Sequence, residues 1–133
     1  MATRVVSGGH EPAAAEAPLL QAIEGQAVTG VEVIEGARSG GLLVEFGAGR
    51  LEILSRASVW VAGREVPPEH PRFREALLGC LTARVERVSV EAGRELALDF
   101  DNGLRLVVSL EPADAKGPEA AAFFDANWHY EAF

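Results

Sequence analysis

This 133-residue chain is poor in the side chains that bind metals or form cross-links. Cys80 is its only cysteine, so no intrachain disulfide can form, which fits a reducing cytoplasm. Cys80 also lies on the apolar side of a predicted helix, where we expect a core role. The three histidines are His10, His70 and His129, and none stands four residues from another. Because a zinc site needs clustered ligands, we expect neither a metal nor another cofactor.

Long apolar runs are also lacking. No stretch of the sequence approaches the length of a membrane span. Arg4 stands near the start, but the apolar segment that follows the basic residues of a secretory signal is missing. We therefore expect a cytoplasmic protein that does not associate with membranes.

Positive charge is scarce in this chain. One lysine and eleven arginines stand against 20 acidic residues, which gives a net charge of −8. No basic stripe is present, so binding to nucleic acid or to an anionic membrane is disfavoured. The acidity has two interpretations, solubility and recognition of a basic partner, and solubility is the simpler one.

Catalytic motifs are incomplete. The run DFDNG at 99–103 has the start of a calcium loop but not its spacing. The glycine-rich run at 36–41 lacks the Lys-Ser/Thr of a phosphate-binding loop. Acids such as Asp99 and Asp101 alternate with apolar residues, which is typical of a solvated strand face. An enzyme that uses these acids is the least supported class, and we assign no catalytic residue.

The segment 96–110 is the clearest structural element, and it predicts a β-hairpin. Apolar residues alternate with polar ones on both sides of an Asp-Asn-Gly turn at 101–103. A three-residue loop keeps the apolar residues opposite one another and pairs Asp99 with Arg105, whereas a two-residue loop mixes the faces. We therefore predict a three-residue loop with Gly103 in the left-handed conformation.

A weaker copy of this hairpin lies 54 residues earlier. The same offset relates these pairs: Leu19–Gly25 and Phe73–Gly79, Val31 and Val85, Leu42 and Leu96, Phe46 and Phe100, Gly49 and Gly103. Such self-similarity predicts an internal duplication. We expect a disordered tail at 1–16, followed by a single domain at 17–133 made of two repeats, at about 18–64 and 72–133.

The predicted fold class is α+β, mostly antiparallel β. Each repeat is a helix followed by a β-meander, and the two repeats pack on one core that buries Phe46 and Phe100. The pattern contains eight strands, and the strand at 81–90 has a predicted bulge between Val85 and Val88. A barrel, a sandwich and a single curved sheet all remain open.

The first hairpin is predicted to differ from the second at its turn. Phe46 is expected to pair with Leu51, five residues further on. That register places Glu45 opposite Glu52, an unfavourable like-charge pair that a cationic partner would relieve.

The remaining segments are less regular. The glycine-rich segment 35–41 predicts a flexible connection, and the proline-rich segment 65–71 predicts an extended linker between the repeats. Residues 118–124 predict a short helical turn that begins at a proline. Residues 127–133 predict a last strand.

Four side chains are typical of a recognition surface, namely Trp60, Trp128, His129 and Tyr130. Trp60 and Trp128 are predicted counterparts that close the two repeats. Their alternative role is in the core, because a tryptophan at a strand end commonly covers a sheet edge. We take the four as candidate binding residues.

The repeated motif supports a resemblance to known proteins. Each copy has a Gly-x₅-Val segment, a Leu-x-Leu/Val-x-Phe-x-x-Gly segment and a tryptophan-bearing strand. In the first copy the motif residues are Gly25, Val31, Leu42, Val44, Phe46, Gly49 and Trp60. In the second copy they are Gly79, Val85, Leu96, Leu98, Phe100, Gly103 and Trp128. This pattern resembles small, uncharacterised bacterial proteins built from duplicated β-meanders. Some proteins of this kind resemble immunity proteins for bacterial toxins, which implies a protein partner and no catalytic residues.

Two functional hypotheses follow. The first is a non-enzymatic cytoplasmic protein that acts by protein–protein contact, either with a different protein or as a homodimer. The second is a small-molecule-binding protein that uses the cleft between the two repeats, near Phe46 and Phe100.

Overall fold

The structure is a computed structural model that describes residues 17–34 and 41–133. The tail predicted at 1–16 and most of the connection predicted at 35–41 lie outside the described residues. The described part is mostly antiparallel β, as the sequence predicts. Its strands are β1 (Val28–Ile34), β2 (Gly41–Phe46), β3 (Gly49–Ile53), β4 (Ala57–Val61), β5 (Arg64–Val66), β6 (Val85–Glu91), β7 (Glu95–Phe100), β8 (Arg105–Ser109), β9 (Ala121–Asp125) and β10 (Tyr130–Ala132).

The helices are short. One α-helix, α1, spans Phe73–Leu78, and 3₁₀ helices span Leu20–Ile23 and Pro112–Asp114. The 3₁₀ helix at Leu20–Ile23 and α1 both lie where the sequence predicts a helix. Their buried side chains, among them Leu20, Ile23 and Leu77, join the core, and so does Cys80 just after α1. The predicted core role of Cys80 is therefore confirmed, and burial raises the pKa of its thiol to about 12.

The strands form two five-stranded sheets, and each sheet contains strands from both halves of the chain. The first sheet has the order β1-β2-β3-β9-β10, and the second has the order β5-β4-β8-β7-β6. Each sheet thus contains three consecutive strands from one half of the chain and a hairpin from the other half. Because β3 pairs with β9 and β4 pairs with β8, neither sheet can form from one half alone.

The two sheets also meet at the starts of β1 and β6. The amide of Val28 donates to the carbonyl of Ala83, and the amide of Val85 donates to the carbonyl of Gln26, both at 2.9 Å. These two bonds flank a bridge between Ala27 and Arg84. Val28 and Val85 make the same kind of bond here and are 57 residues apart in sequence, whereas the hairpins predict an offset of 54.

This change of offset corrects one predicted equivalence. Val28 lies opposite Phe46, as Val85 lies opposite Phe100, and each pair is followed by a register shift. Val31, the predicted counterpart of Val85, is only partly buried. The bulge predicted after Val85 is confirmed, and β1 has a bulge at the matching place. The offset changes because six residues separate β1 from β2, whereas three separate β6 from β7.

The β7–β8 hairpin has the predicted register. Leu98 lies opposite Leu106 and Asp99 opposite Arg105, whose guanidinium Nη1 is 3.1 Å from the Asp99 carboxylate. Gly103 has a φ of +90°, which confirms the left-handed residue of the loop.

The β2–β3 hairpin does not have the predicted register. Phe46 pairs with Gly49, so Glu45 faces Arg50 and the predicted like-charge pair with Glu52 does not form. Packing explains the difference. A Cβ at position 49 would lie 2.2 Å from the carbonyl oxygen of Phe124 and 2.8 Å from the ring of Phe123, so only glycine allows β9 this close.

One further prediction is wrong and another is partly correct. The segment predicted as a helical turn at 118–124 contains most of β9, which packs its buried Phe123 against β3. The proline-rich segment predicted as a linker at 65–71 has neither helix nor strand from Pro67 onward, but its first two residues belong to β5, which pairs with β4. Both strands are short and lack a clear alternation, and tertiary pairing stabilises them.

One apolar cluster receives side chains from both sheets. Phe46 and Phe100 are both buried in it, at 5% and 3% exposure, as predicted. The opposite face of each sheet points away from this shared core.

The close approach of β9 to Gly49 gives a testable prediction. We expect Gly49→Ala to lower the free energy of unfolding by about 1–3 kcal/mol, because the added methyl group clashes with backbone atoms. Gly117→Ala is the control, since nothing lies within 4 Å of a Cβ there. Urea unfolding monitored by circular dichroism measures both. Equal stabilities of the two variants would contradict the proposed packing.

Candidate functional site

The outer face of the first sheet carries a row of polar and aromatic side chains. Phe124 pairs with Tyr130 on one side and with Arg50 on the other, and Arg50 pairs with Glu45. Residues in register across a sheet point to the same face. The adjacent row, which contains Phe123, points into the core, so the row of Phe124 faces outward.

An aromatic cluster surrounds Arg50 on this face. The ring centroid of Phe124 is 5.1 Å from that of Tyr130 and 6.1 Å from that of Trp128. The guanidinium carbon of Arg50 lies 5.7 Å from the Phe124 centroid and 5.2 Å from the Trp128 centroid. These distances allow cation–π and edge-to-face contacts, which order the four side chains. We call Arg50, Phe124, Trp128 and Tyr130 the aromatic surface.

Trp128 is the most exposed large apolar side chain among the described residues, with 67% of its surface accessible. The core role that its strand position favours is therefore wrong. A tryptophan left in water loses the free energy that burial provides, so an ordered exposed one marks a surface that a partner can cover.

A tight turn at 125–129 holds Trp128 in place. The Asp125 carboxylate accepts hydrogen bonds from the amides of Asn127 at 2.9 Å and His129 at 2.8 Å, and it lies 3.0 Å from Nδ1 of His129. The amide of Trp128 donates to the carbonyl of Asp125 at 3.0 Å. These bonds fix Trp128 at a φ of +66°, a conformation that is unfavourable for a bulky residue.

Electrostatics within the turn reinforce it. Desolvation tends to raise the pKa of Asp125, but the hydrogen bonds from His129 and Asn127 outweigh it and lower that pKa from its usual value. A lowered pKa means that the folded turn favours the ionised carboxylate. The turn is therefore stabilised at neutral pH and weakens as the pH falls through the lowered pKa.

Carboxylates form the rim of the aromatic surface. The hydroxyl of Tyr130 donates to Glu119, and Arg50 Nη2 lies 3.3 Å from Glu52. The hydrogen bond to Glu119 favours the neutral phenol and raises the pKa of Tyr130. Nε of Arg50 is buried and has no hydrogen-bond partner within the described part of the chain, so this guanidinium is held by the ion pair with Glu52 and by its contacts with the two rings.

A groove of about 330 Å³ runs beside Trp128. Its lining includes Glu45, Arg50, Phe124 and Asp125, together with the small residues of the β2–β3 turn. Counting Glu52 and Glu119 on the rim, four carboxylates line or border this surface together with the guanidinium of Arg50. The aromatic surface is therefore set in negative potential.

The structure brings three of the four predicted binding residues together. Trp128, His129 and Tyr130 lie in or next to the turn between β9 and β10. Trp60 lies on the outer face of the second sheet, where it pairs with Arg105. In register, the counterpart of Trp60 is Phe124, which pairs with Arg50, so the predicted equivalence of Trp60 and Trp128 is wrong.

Sequence reasoning missed Arg50 and Phe124. The two residues lie in different halves of the chain and become neighbours only because β3 pairs with β9. A signal was present in Arg50 and Arg105, each of which follows a hairpin turn near the start of a strand. The similarity of the two arginines becomes visible only in the correct β2–β3 register, in which Arg50 faces Glu45 as Arg105 faces Asp99.

The described part of the chain shows neither a metal site nor a membrane-spanning helix. Residues 17–34 and 41–133 contain no group of three or more His, Cys, Asp or Glu side chains placed to hold a metal ion. Within the same ranges, every helix is too short or too polar to cross a bilayer. Comparisons with family models, with curated proteins and with solved structures gave no match to this chain.

Tyr130 provides a direct test of the rim, because it is the only tyrosine of the chain. We expect its pKa to lie above 10.0, and Glu119→Gln to lower it toward that value. A folded-state pKa that is raised adds stability below the ordinary pKa, and this stability is lost as the pH rises through the raised value. Tyrosinate absorbance measures the titration, and circular dichroism verifies the fold at each pH. Glu111→Gln, on an exposed loop, is the control. An unchanged pKa in Glu119→Gln would contradict the contact.

Proposed function

We propose that this protein acts without enzymatic chemistry, in the cytoplasm, by binding another protein through the aromatic surface. The observation that carries the proposal is the state of Trp128, which is exposed yet held by the 125–129 turn and by its contacts with Phe124 and Arg50. A side chain ordered before binding loses little conformational entropy when a partner covers it. Trp128 is therefore suited to be the anchor of an interface.

The composition of the surface supports this proposal. Tryptophan, tyrosine and arginine are the residues that most often dominate the binding energy of protein interfaces. Here Trp128, Tyr130 and Arg50 are adjacent, and carboxylates surround them. An apolar centre with a polar rim is the usual anatomy of a protein-binding surface.

Charge favours a basic partner over a second copy of this chain. Four carboxylates line or border the aromatic surface, and the whole chain has a net charge of −8. Two such surfaces would repel each other, whereas a basic surface would be attracted and correctly oriented. An immunity protein that neutralises a basic toxin domain is one form of this function.

The two-unit organisation is part of the proposal. We infer that the chain consists of two helix-and-meander units that exchanged their terminal hairpins. The same order of strands in both sheets and the paired hydrogen bonds around Ala27 and Arg84 support it. The exchange places residues of both units on each outer face.

A small molecule held between the two units has less support. Phe46 and Phe100, which would line such a cleft, pack into the shared core. The groove at Trp128 lies on an outer face, where a partner protein has access.

The proposal predicts which substitution abolishes binding. With the tagged protein as bait in lysate of the source cell, Trp128→Ala should reduce recovery of the specific partner at least about tenfold, as loss of an interface anchor does. Leu78→Ala is the matched control, because Leu78 is also an exposed apolar side chain, at 47%, but lies on α1. We expect it to recover the partner as the parent protein does. Equal recovery by both variants would contradict the role of Trp128.

Light scattering on the purified protein tests the oligomeric state. We expect a monomer, because the charges of the surface repel a second copy. A dimer that Trp128→Ala converts to a monomer would assign the surface to self-association and overturn the basic-partner proposal. A strict monomer that captures no partner would count against protein binding altogether.

A further inference from the structure

The outer face of the second sheet carries a groove in the same register position as the aromatic surface. On this face Trp60 pairs with Arg105, and Arg105 pairs with Asp99. On the first sheet Phe124 pairs with Arg50, and Arg50 pairs with Glu45. Both sheets therefore place an aromatic residue, an arginine and an acid on three neighbouring strands in the same order.

The groove on the second sheet has a volume of about 570 Å³. We call it the Trp60 groove, and its lining side chains include Trp60, Glu65, Glu95, Asp99, Arg105 and Val107. Trp60 and Val107 are half-buried, so the groove offers both an indole and an aliphatic surface. It is large enough for one or two extended side chains of a partner.

Charge in the Trp60 groove is unbalanced. Arg105 Nη1 lies 3.1 Å from Asp99 and Nη2 lies 3.8 Å from Glu95, so two carboxylates already neutralise this guanidinium. Glu65, which accepts a hydrogen bond from the Ser58 hydroxyl at 2.7 Å, adds a third carboxylate. Arg87 on β6 is in register with Asp99 and adds a second cation at the edge of the groove. Three acids against two arginines leave one net negative charge beside an indole. That combination attracts a cationic side chain, whose alkyl stem packs on apolar surface while its charge meets the carboxylates.

We infer that the Trp60 groove is a second binding surface, which takes a lysine or arginine side chain from a basic segment of a protein. The protein nature of the ligand rests on the function proposed above, whereas the cationic chemistry rests on the groove itself. With one basic-segment surface on each sheet, the protein is bivalent. When both surfaces bind the same partner, the second binding step is intramolecular. The overall affinity then rises because the effective concentration of the second site is high.

The chain contains its own reporters for the two surfaces. It has two tryptophans, and one lies on each outer face. In a ¹⁵N-labelled sample each indole N–H gives one signal, which Trp60→Phe and Trp128→Phe assign. The probe is a hexaarginine peptide with blocked termini, and hexaglutamate at matched ionic strength is the control ligand.

The expected result is a saturable shift of the Trp60 signal with hexaarginine and none with hexaglutamate. The shift should persist in Trp128→Phe, because the groove is independent of the aromatic surface. Glu65→Gln should weaken the binding seen at Trp60 by about threefold or more, the effect of one partly exposed ion pair. Glu86→Gln removes the same charge from an exposed site on β6 and should leave the binding unchanged.

The outcomes separate this inference from the proposed function. A Trp60 signal that does not move while Trp128 responds to hexaarginine would overturn the second surface and leave the first intact. Equal weakening by Glu65→Gln and Glu86→Gln would show a general attraction to an acidic protein and would also overturn it. A response at Trp60 alone would support the groove, and the basic partner of the aromatic surface would then be wrong.

Discussion

The structure depends on the pairing of strands from the two halves of the chain. Pairing of β3 with β9 and of β4 with β8 completes both sheets, and each pairing joins strands that are far apart in sequence. The β3–β9 pairing requires the backbone of β9 to lie against Gly49, where a side chain would collide with the carbonyl oxygen of Phe124. One residue without a Cβ therefore permits the contact that closes the first sheet.

The candidate site is a product of the same pairing. Arg50 comes from the first half and Phe124 from the second, and neither has an aromatic–cation partner until β3 and β9 align. The 125–129 turn then projects Trp128 over the guanidinium. Stability and recognition are thus coupled, because loss of the strand pairing would also disperse the aromatic surface.

The sequence was sufficient wherever local chemistry determined the register. In β7 and β8, strict alternation and the opposite charges of Asp99 and Arg105 left only one three-residue loop that kept the faces separate. In β2 and β3 the turn consists of small, uncharged residues, which permit more than one register. There the choice depends on packing against β9, a strand that is invisible to local pattern because its Ala-Ala-Phe-Phe run has no alternation.

The predicted binding residues show the same division. Trp128, His129 and Tyr130 are adjacent in sequence, so their proximity followed from the sequence alone. Arg50 and Phe124 joined them only through the topology, and Trp60 was separated from them by it. Candidate residues that are close in sequence are therefore the ones that sequence reasoning can group.

The difference between the two outer faces bears on the roles that the two proposed binding surfaces would have. At equivalent register positions the first sheet has Tyr130 beside Phe124, whereas the second has Glu65 beside Trp60. The first face thus offers more aromatic surface, which contributes most when water is excluded. The second face has a carboxylate beside its tryptophan, and the attraction of that charge acts over a longer range but is screened by salt. If both faces bind a basic partner as proposed, both would attract it and the first would hold it most firmly, so Trp60 and Trp128 would not be interchangeable.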